Sequence, residues 1–199
     1  YAREAWIAYQ TGGADAEAYQ QNARLAVQQA ATRLGVRLTE RQLNQLATRF
    51  NNEGWGVNGR QQLLDTALSQ EITPDAQGNL RGSSGNLQED LQQIAQRNGV
   101  GFSNSYYISA ARSVAQGLST PEDWERDIRQ MAASLYPTLA DKINAGLDVK
   151  DIASSYINTM AQIFEMDPDQ INLSDPHIKA ALGAADEQGN PRTMGLWEF

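Results

Sequence analysis

The fold class is decided by residues 148–182, which read DVKDIASSYINTMAQIFEMDPDQINLSDPHIKAAL. Apolar side chains recur in this stretch at intervals of three and four residues, the spacing that places them on one stripe of an α-helix. They are Val149, Ile152, Ala153, Tyr156, Met160, Ile163 and Phe164. Asp148 is the predicted N-cap of this helix, and its end is predicted before Pro168, because the residue preceding a proline disfavours the α-helical conformation.

A second helix is predicted shortly after the first. Ser174-Asp175-Pro176 has two capping residues and then a proline, which favours the first turn of a helix from Pro176 to about Ala185. The two segments therefore form a helical hairpin. No catalytic motif lies within it.

The remainder of the chain has the same helical spacing and no segment with the alternation of a β-strand. Thr39 and Gln42 fit a capping box at the start of one helix, and Gly35 fits the left-handed end of the helix before it. The sequence therefore predicts an all-α fold, a multi-helix bundle.

Four segments are predicted from the turn-forming residues. Residues 1–72 form an N-terminal helical unit, and residues 73–85, TPDAQGNLRGSSG, form a linker or exposed loop. Residues 86–136 form a second helical unit, and residues 137–199 form the C-terminal helical hairpin and tail.

The two helical units resemble each other. Residues 31–39, ATRLGVRLT, match residues 95–103, AQRNGVGFS, with the Gly-Val pair in register, and further capped helices follow in each case. A duplicated three-helix unit explains this match. The alternative is that a helix ending in Gly-Val is a common arrangement that arose twice.

Composition narrows the classes of function. The chain has 199 residues, of which 41% are hydrophobic and 20% charged, as expected of a folded protein. Its formal charge of −8 repels a phosphate backbone, so no direct nucleic-acid site is expected. No run of apolar residues is long enough to span a membrane, and the absence of cysteine excludes disulfides, thiolate nucleophiles and cysteine-ligated zinc.

Two sets of residues are of types that occur in chemical sites. His177 is the only histidine, and without a partner nucleophile it is interpreted as part of a helix start. Asp167, Asp169 and Asp175 suggest calcium, but Ile171 and Asn172 occupy the positions where an EF-hand loop needs an oxygen ligand and a glycine. The aspartates are therefore predicted to be caps and turn formers.

Residues 51–55, NNEGW, resemble the Glu-Ser-Gly-Trp neighbourhood of lysozyme-like transglycosylases, in which the glutamate is the general acid. That resemblance implies a catalytic role for Glu53. Here Gly54 stands where the family has serine, and no later Gly-Leu-Met-Gln segment follows. The simpler interpretation is a glutamate before a helix-ending glycine. The sequence predicts no catalytic, cofactor-binding or metal-ligating residue.

The terminal segments are apolar. The chain begins at Tyr1 without methionine and ends in Gly-Leu-Trp-Glu-Phe, which favours an ordered piece of a longer polypeptide, or a processed one. The predicted interface residues are Trp6, Leu196, Trp197 and Phe199, because aromatic side chains near chain ends favour contacts with other proteins.

The C-terminal third resembles a recurring segment of virion proteins of tailed bacteriophages, of the minor tail, tape-measure-associated or internal virion type. The matching positions are Tyr136-Pro137, Ile143–Gly146, Val149–Tyr156, Met160-Ala161, Glu165–Pro168, Leu173–Pro176 and Gly195–Phe199. The resemblance implies a structural role in the virion, in many copies, in contact with tail, portal or baseplate subunits. It carries no catalytic residue, and it allows a separate wall-degrading domain elsewhere in a longer chain.

Three hypotheses follow. The first is a structural component of a phage virion, either tail-associated or internal and ejected. The second is a peptidoglycan-degrading enzyme that uses Glu53, and the third is a soluble helical adaptor with a groove for a partner peptide.

Overall fold

The computed structural model of the chain describes residues 16–56, 60–185 and 188–199, and within them the fold is all-α, as the sequence predicts. The helices are α1 (Ala16–Leu34), α2 (Glu40–Asn52), α3 (Gln61–Ser69), α4 (Gly82–Arg97), α5 (Asn104–Ala115), α6 (Pro121–Leu135), α7 (Ala140–Asn144), α8 (Val149–Ile152), α9 (Ser154–Phe164) and α10 (Pro176–Leu182). Short 3-10 helices lie at Pro137–Leu139 and Pro168–Gln170. Two strands of two residues, β1 (Ala184–Ala185) and β2 (Pro191–Arg192), pair antiparallel with Ala184 opposite Arg192.

The described chain forms two compact units. The first contains the described residues as far as Glu89 together with Ser103–Pro121, and the second contains Asp90–Phe102 and Glu122–Phe199. The division falls within α4. The four segments expected from the turn-forming residues stay a prediction.

The core of the first unit lies where α1 packs against α2 and α3. Val27, Leu64 and Leu68 are fully buried there, and Trp55 covers them from the end of α2. The start of α2 has the predicted capping box: the Thr39 side chain accepts the Gln42 N–H, and the Gln42 side chain accepts the Thr39 N–H. The capping box therefore begins α2 at the point where its apolar face starts to be buried.

The predicted glycine end of α1 is confirmed. Gly35 has a φ of +78°, and the N–H of Val36 donates to Ala31 O at 2.8 Å, which satisfies a carbonyl that the helix leaves free. The end of α4 repeats this arrangement, with Gly99 at a φ of +66°. The two segments that match in sequence therefore share the geometry of their helix ends.

Their packing partners differ. The helix after the first Gly-Val pair, α2, packs against α1, whereas the helix after the second pair, α5, packs against α3 within the first unit. The repeated sequence accounts for local helix ends and not for the long-range contacts.

The predicted helix from residue 149 to the region of Pro168 is interrupted. It comprises α8 and α9, and Ala153 lies between them. Asp148 is the N-cap residue of α8, as predicted, but its side chain makes no capping bond to the helix. The carboxylate instead accepts hydrogen bonds from Arg97 and from Asn98, because a charged donor is a stronger partner than a backbone N–H.

The side chain of a buried asparagine, Asn98, binds the first backbone N–H of α8. Asn98 is fully buried, and its Oδ1 accepts the Val149 N–H at 3.3 Å. Its Nδ2 donates to Ile94 O at 2.9 Å and to Asp148 Oδ1 at 3.1 Å. One amide side chain thus joins the end of α4 to the start of α8.

The predicted apolar stripe of α9 is buried in its first half and exposed in its last turn. Tyr156 and Met160 are buried, whereas Ile163 and Phe164 are 66% and 57% exposed. Spacing identifies residues on one side of a helix, but it does not say how far the neighbouring element extends along that side. Here the last turn of α9 extends beyond its neighbours.

The helix predicted to run from Pro176 to about Ala185 ends earlier, at Leu182. Its start is as predicted, because the Asp175 side chain accepts the His177 N–H at 2.8 Å. The helix is shorter than predicted because residues 184 and 185, which follow it, pair with β2 instead of continuing the helix. None of the described helices is long and apolar enough to cross a membrane.

Candidate functional site

The C-terminal tail is anchored to the second unit by its backbone. The N–H of Met194 donates to Ala181 O at 2.7 Å, and the Tyr156 hydroxyl donates to Met194 O. The Phe199 ring meets the Tyr156 ring edge to face, with centroids 5.3 Å apart. These contacts fix the tail at both ends.

An ion pair closes the tail into a turn. Arg192 donates two hydrogen bonds to the Glu198 carboxylate, of 2.6 and 2.9 Å, and the Gly195 N–H donates a third of 2.7 Å. The hydrogen bonds from Arg192, followed by the one from Gly195, lower the pKa of Glu198 from its ordinary 4.5 to about 2. We call these three residues the tail clamp.

The tail clamp presents two apolar side chains to solvent. Trp197 is fully exposed and Leu196 is 47% exposed, although both lie in a turn held at its ends. Phe199 is half-buried on Tyr156. Of the four predicted interface residues, the structure brings Leu196, Trp197 and Phe199 together in one tail, while Trp6 lies outside the described residues. Their role in an interface stays a prediction.

Arg192 was not identified from the sequence, although a signal for it exists. Residues 75–81, DAQGNLR, and 186–192, DEQGNPR, share the pattern Asp-x-Gln-Gly-Asn-x-Arg. Gly78 and Gly189 have φ values of +89° and +80°, which a tight turn requires and which glycine adopts without strain. The repeat indicates a turn that ends in an arginine, and in the tail this arginine binds Glu198.

Glu53 lies at the end of α2 with both carboxylate oxygens occupied. Arg49 Nε donates to Oε1 at 3.0 Å, and Trp55 Nε1 donates to Oε2 at 2.9 Å. Both carboxylate oxygens therefore hold side chains at the end of α2, which is the helix-end arrangement that the sequence favours for Glu53.

An open groove of about 940 Å³ lies beside Glu53, between α2 and α3. Its floor contains Leu46, Leu63 and Ala67, and amide side chains form much of its rim. Trp55 is among the residues that line this groove, but it is only 2% exposed. The groove therefore offers little aromatic surface on which a sugar ring could stack.

The remaining candidates have structural partners. Asp167 Oδ1 accepts the Asp169 N–H at 3.0 Å, and Asp169 in turn pairs with Lys150 at 3.1 Å. His177 is exposed, with Nδ1 3.2 Å from Asp175 Oδ1. The prediction that these aspartates act as caps and turn formers is confirmed for Asp167 and Asp175. Over the described ranges, no three histidine or acidic side chains are grouped so as to hold a metal ion.

Charge is concentrated in one unit. The sequence of the second unit has fifteen Asp and Glu residues but seven Lys and Arg residues, so it accounts for the whole formal charge of −8. The tail and the end of α9 both belong to this acidic unit. A partner that binds there meets a negative surface.

Comparison with protein-family models, curated proteins and solved structures finds no match to this chain.

Proposed function

We propose that this chain is a structural component of a tailed-bacteriophage virion, either tail-associated or internal, and that it acts through contacts with other virion proteins. The observation that carries the contact role is the full exposure of Trp197 on a tail held by the Arg192–Glu198 pair. Tail, portal or baseplate subunits are the proposed partners. The site of action is the virion.

Trp197 is an exposed apolar side chain on an ordered tail. An exposed indole gains nothing for the fold of its own chain, because burial of apolar surface is what stabilises a folded protein. When the tail is already ordered, a partner that covers the indole gains that burial without first restricting the tail. Tryptophan is also among the residues that contribute most to protein interfaces.

The proposal that the protein belongs to a virion does not depend on the exposure of Trp197. It depends on the resemblance of the dispersed segments between Tyr136 and Phe199 to virion proteins of tailed phages. The exposed tail supports a contact role for one of those segments, Gly195–Phe199. The paired Glu53 carboxylate favours a structural role over wall hydrolysis.

The experiment is incorporation of variants into particles. Cells that produce the particles express the chain as wild type, as Trp197→Asp or as Leu25→Asp, in each case without the wild-type copy. Leu25 is a matched control, since it is 53% exposed but lies in the first unit. Quantitative mass spectrometry of purified particles then gives the copy number of each variant.

We expect Trp197→Asp to reduce the copy number at least about tenfold, the scale of a hot-spot residue in an interface. Leu25→Asp should incorporate as the wild type does. Equal incorporation of Trp197→Asp and wild type would contradict the proposed contact.

A further inference from the structure

The end of α9 forms a second apolar surface, distinct in sequence from the tail. Every residue from Gln162 to Gln170 is exposed, and we call this segment the α9 corner. It presents Ile163, Phe164 and Met166, three large apolar side chains within four positions. Surface residues of this kind are ordinary when they are isolated, but a contiguous group marks a site of interaction.

The α9 corner is held in place from both sides. Ala161 precedes it and Ile171 follows it, and both are buried. The turn is closed by the N–H of Met166, which donates to Ala161 O at 3.0 Å, and by the Asp167 carboxylate, which accepts the Asp169 N–H. The exposed side chains therefore lie on ordered backbone.

Acidic side chains alternate with the apolar ones. Glu165, Asp167 and Asp169 lie within the same segment, and Lys150 pairs with Asp169 at its far end. No ion pair is found for Glu165 or Asp167 in the described chain. The corner belongs to the unit that accounts for the whole net charge of −8. A partner surface that is complementary to the α9 corner is apolar at its centre and positively charged at its edge.

The backbone at Glu165 is an additional feature. Its φ is +52°, which makes it the only non-glycine residue with a positive φ in the described ranges. Helices α1, α2, α4, α5 and α7 all turn at a glycine in this conformation. Glycine would be the less strained residue at position 165 as well. The glutamate there lowers the stability of the fold, and it places a carboxylate between Phe164 and Met166.

We propose that the α9 corner is a docking surface for a basic protein partner. Phe164 and its apolar neighbours enter an apolar pocket of that partner, and Lys or Arg side chains at the rim of the pocket face Glu165 and Asp167. This site is separate from the tail, and the proposal does not depend on whether the partner belongs to a virion.

The probe is a library of random-sequence peptides selected against the full 199-residue chain. Selected peptides should combine aromatic or aliphatic residues with Lys or Arg. Phe164→Asp should weaken their binding at least about tenfold, and so should a rise from low to high salt concentration. Leu25→Asp, which changes an exposed leucine in the other unit, should leave binding unchanged.

Two variants of Glu165 separate a docking role from a structural one. Glu165→Gly removes the left-handed strain, so it should raise the denaturant midpoint while it weakens peptide binding. Glu165→Gln keeps the strain and removes the charge, so it should weaken binding with little change in the midpoint. Opposite signs for stability and binding are not expected of a residue that serves the fold alone.

Three results would overturn the proposal. The first is a set of selected peptides without cationic residues, and the second is binding that neither Phe164→Asp nor Glu165→Gly reduces. The third is self-association of the wild-type chain, measured by sedimentation, that Phe164→Asp abolishes, because a second copy of the chain would then occupy the corner.

Discussion

The Arg192 guanidinium binds the Glu198 carboxylate through two hydrogen bonds, and Trp197, which lies in the loop that this pair closes, points into solvent. A bidentate pair fixes both distance and orientation, so it orders the backbone on either side of it. The backbone that carries the exposed indole is therefore ordered by its neighbours.

The tail clamp should open in acid. The pKa of Glu198 is lowered in the folded chain, from 4.5 to about 2, so its contribution is complete above pH 4.5 and is lost as the pH falls towards 2. NMR signals of the Trp197 indole N–H and the Gly195 amide should report this titration. Glu198→Gln should show the open tail at neutral pH and no titration, and an unchanged tail in that variant would contradict the role of the ion pair.

Asn98 should be critical for the second unit. Replacement by Ala leaves the Val149 N–H without its acceptor and Asp148 without an amide donor, in a place that water does not reach. We expect a loss of about 1–3 kcal/mol in the free energy of unfolding, measured by chemical denaturation. The control is Asn158→Ala, at an exposed position of α9, which should change stability by less than about 0.5 kcal/mol.

Two glycines with positive φ should differ in their tolerance of alanine. At Gly146 an added Cβ meets nothing within 4 Å, so Gly146→Ala should cost about 1–2 kcal/mol for the left-handed backbone alone. At Gly35 the same Cβ would lie 1.9 Å from the Arg81 backbone oxygen. Gly35→Ala should therefore cost more than about 3 kcal/mol. Equal denaturant midpoints for the two variants would contradict the close approach of the chain at Gly35.

Glu53→Gln tests the enzyme hypothesis. The Arg49–Glu53 pair is exposed, so its loss should change the free energy of unfolding by less than about 1 kcal/mol. Turbidity of a peptidoglycan suspension should be the same with the wild type, with Glu53→Gln and with buffer. Clearing by the wild type that the variant loses would instead support Glu53 as a general acid.

The sequence was informative where structure is local. Thr39, Gly35 and Asp175 begin or end helices as predicted, because caps and left-handed turns depend on residues within one helical turn. The partner of a side chain is not predicted where that partner is distant in sequence. Asp148 is the N-cap residue of α8, but its carboxylate binds Arg97, 51 positions away, instead of the first turn of the helix.

At the candidate site, too, the sequence predicts some features and leaves others undetermined. Aromatic residues near the chain end favoured an interface, and Leu196 and Trp197 are exposed. The spacing places Ile163 and Phe164 on the apolar stripe of the helix, but spacing alone carries no information on where a neighbouring element stops. Both residues instead belong to the exposed α9 corner.

The proposed virion role is tested most directly by mass spectrometry of the native source, with particles purified by sedimentation and their proteins identified. We expect peptides of this chain, including the one that contains Trp197, to co-purify with portal, tail or baseplate subunits in constant ratio. Recovery of the chain only in the fractions without particles would contradict a role as a virion component.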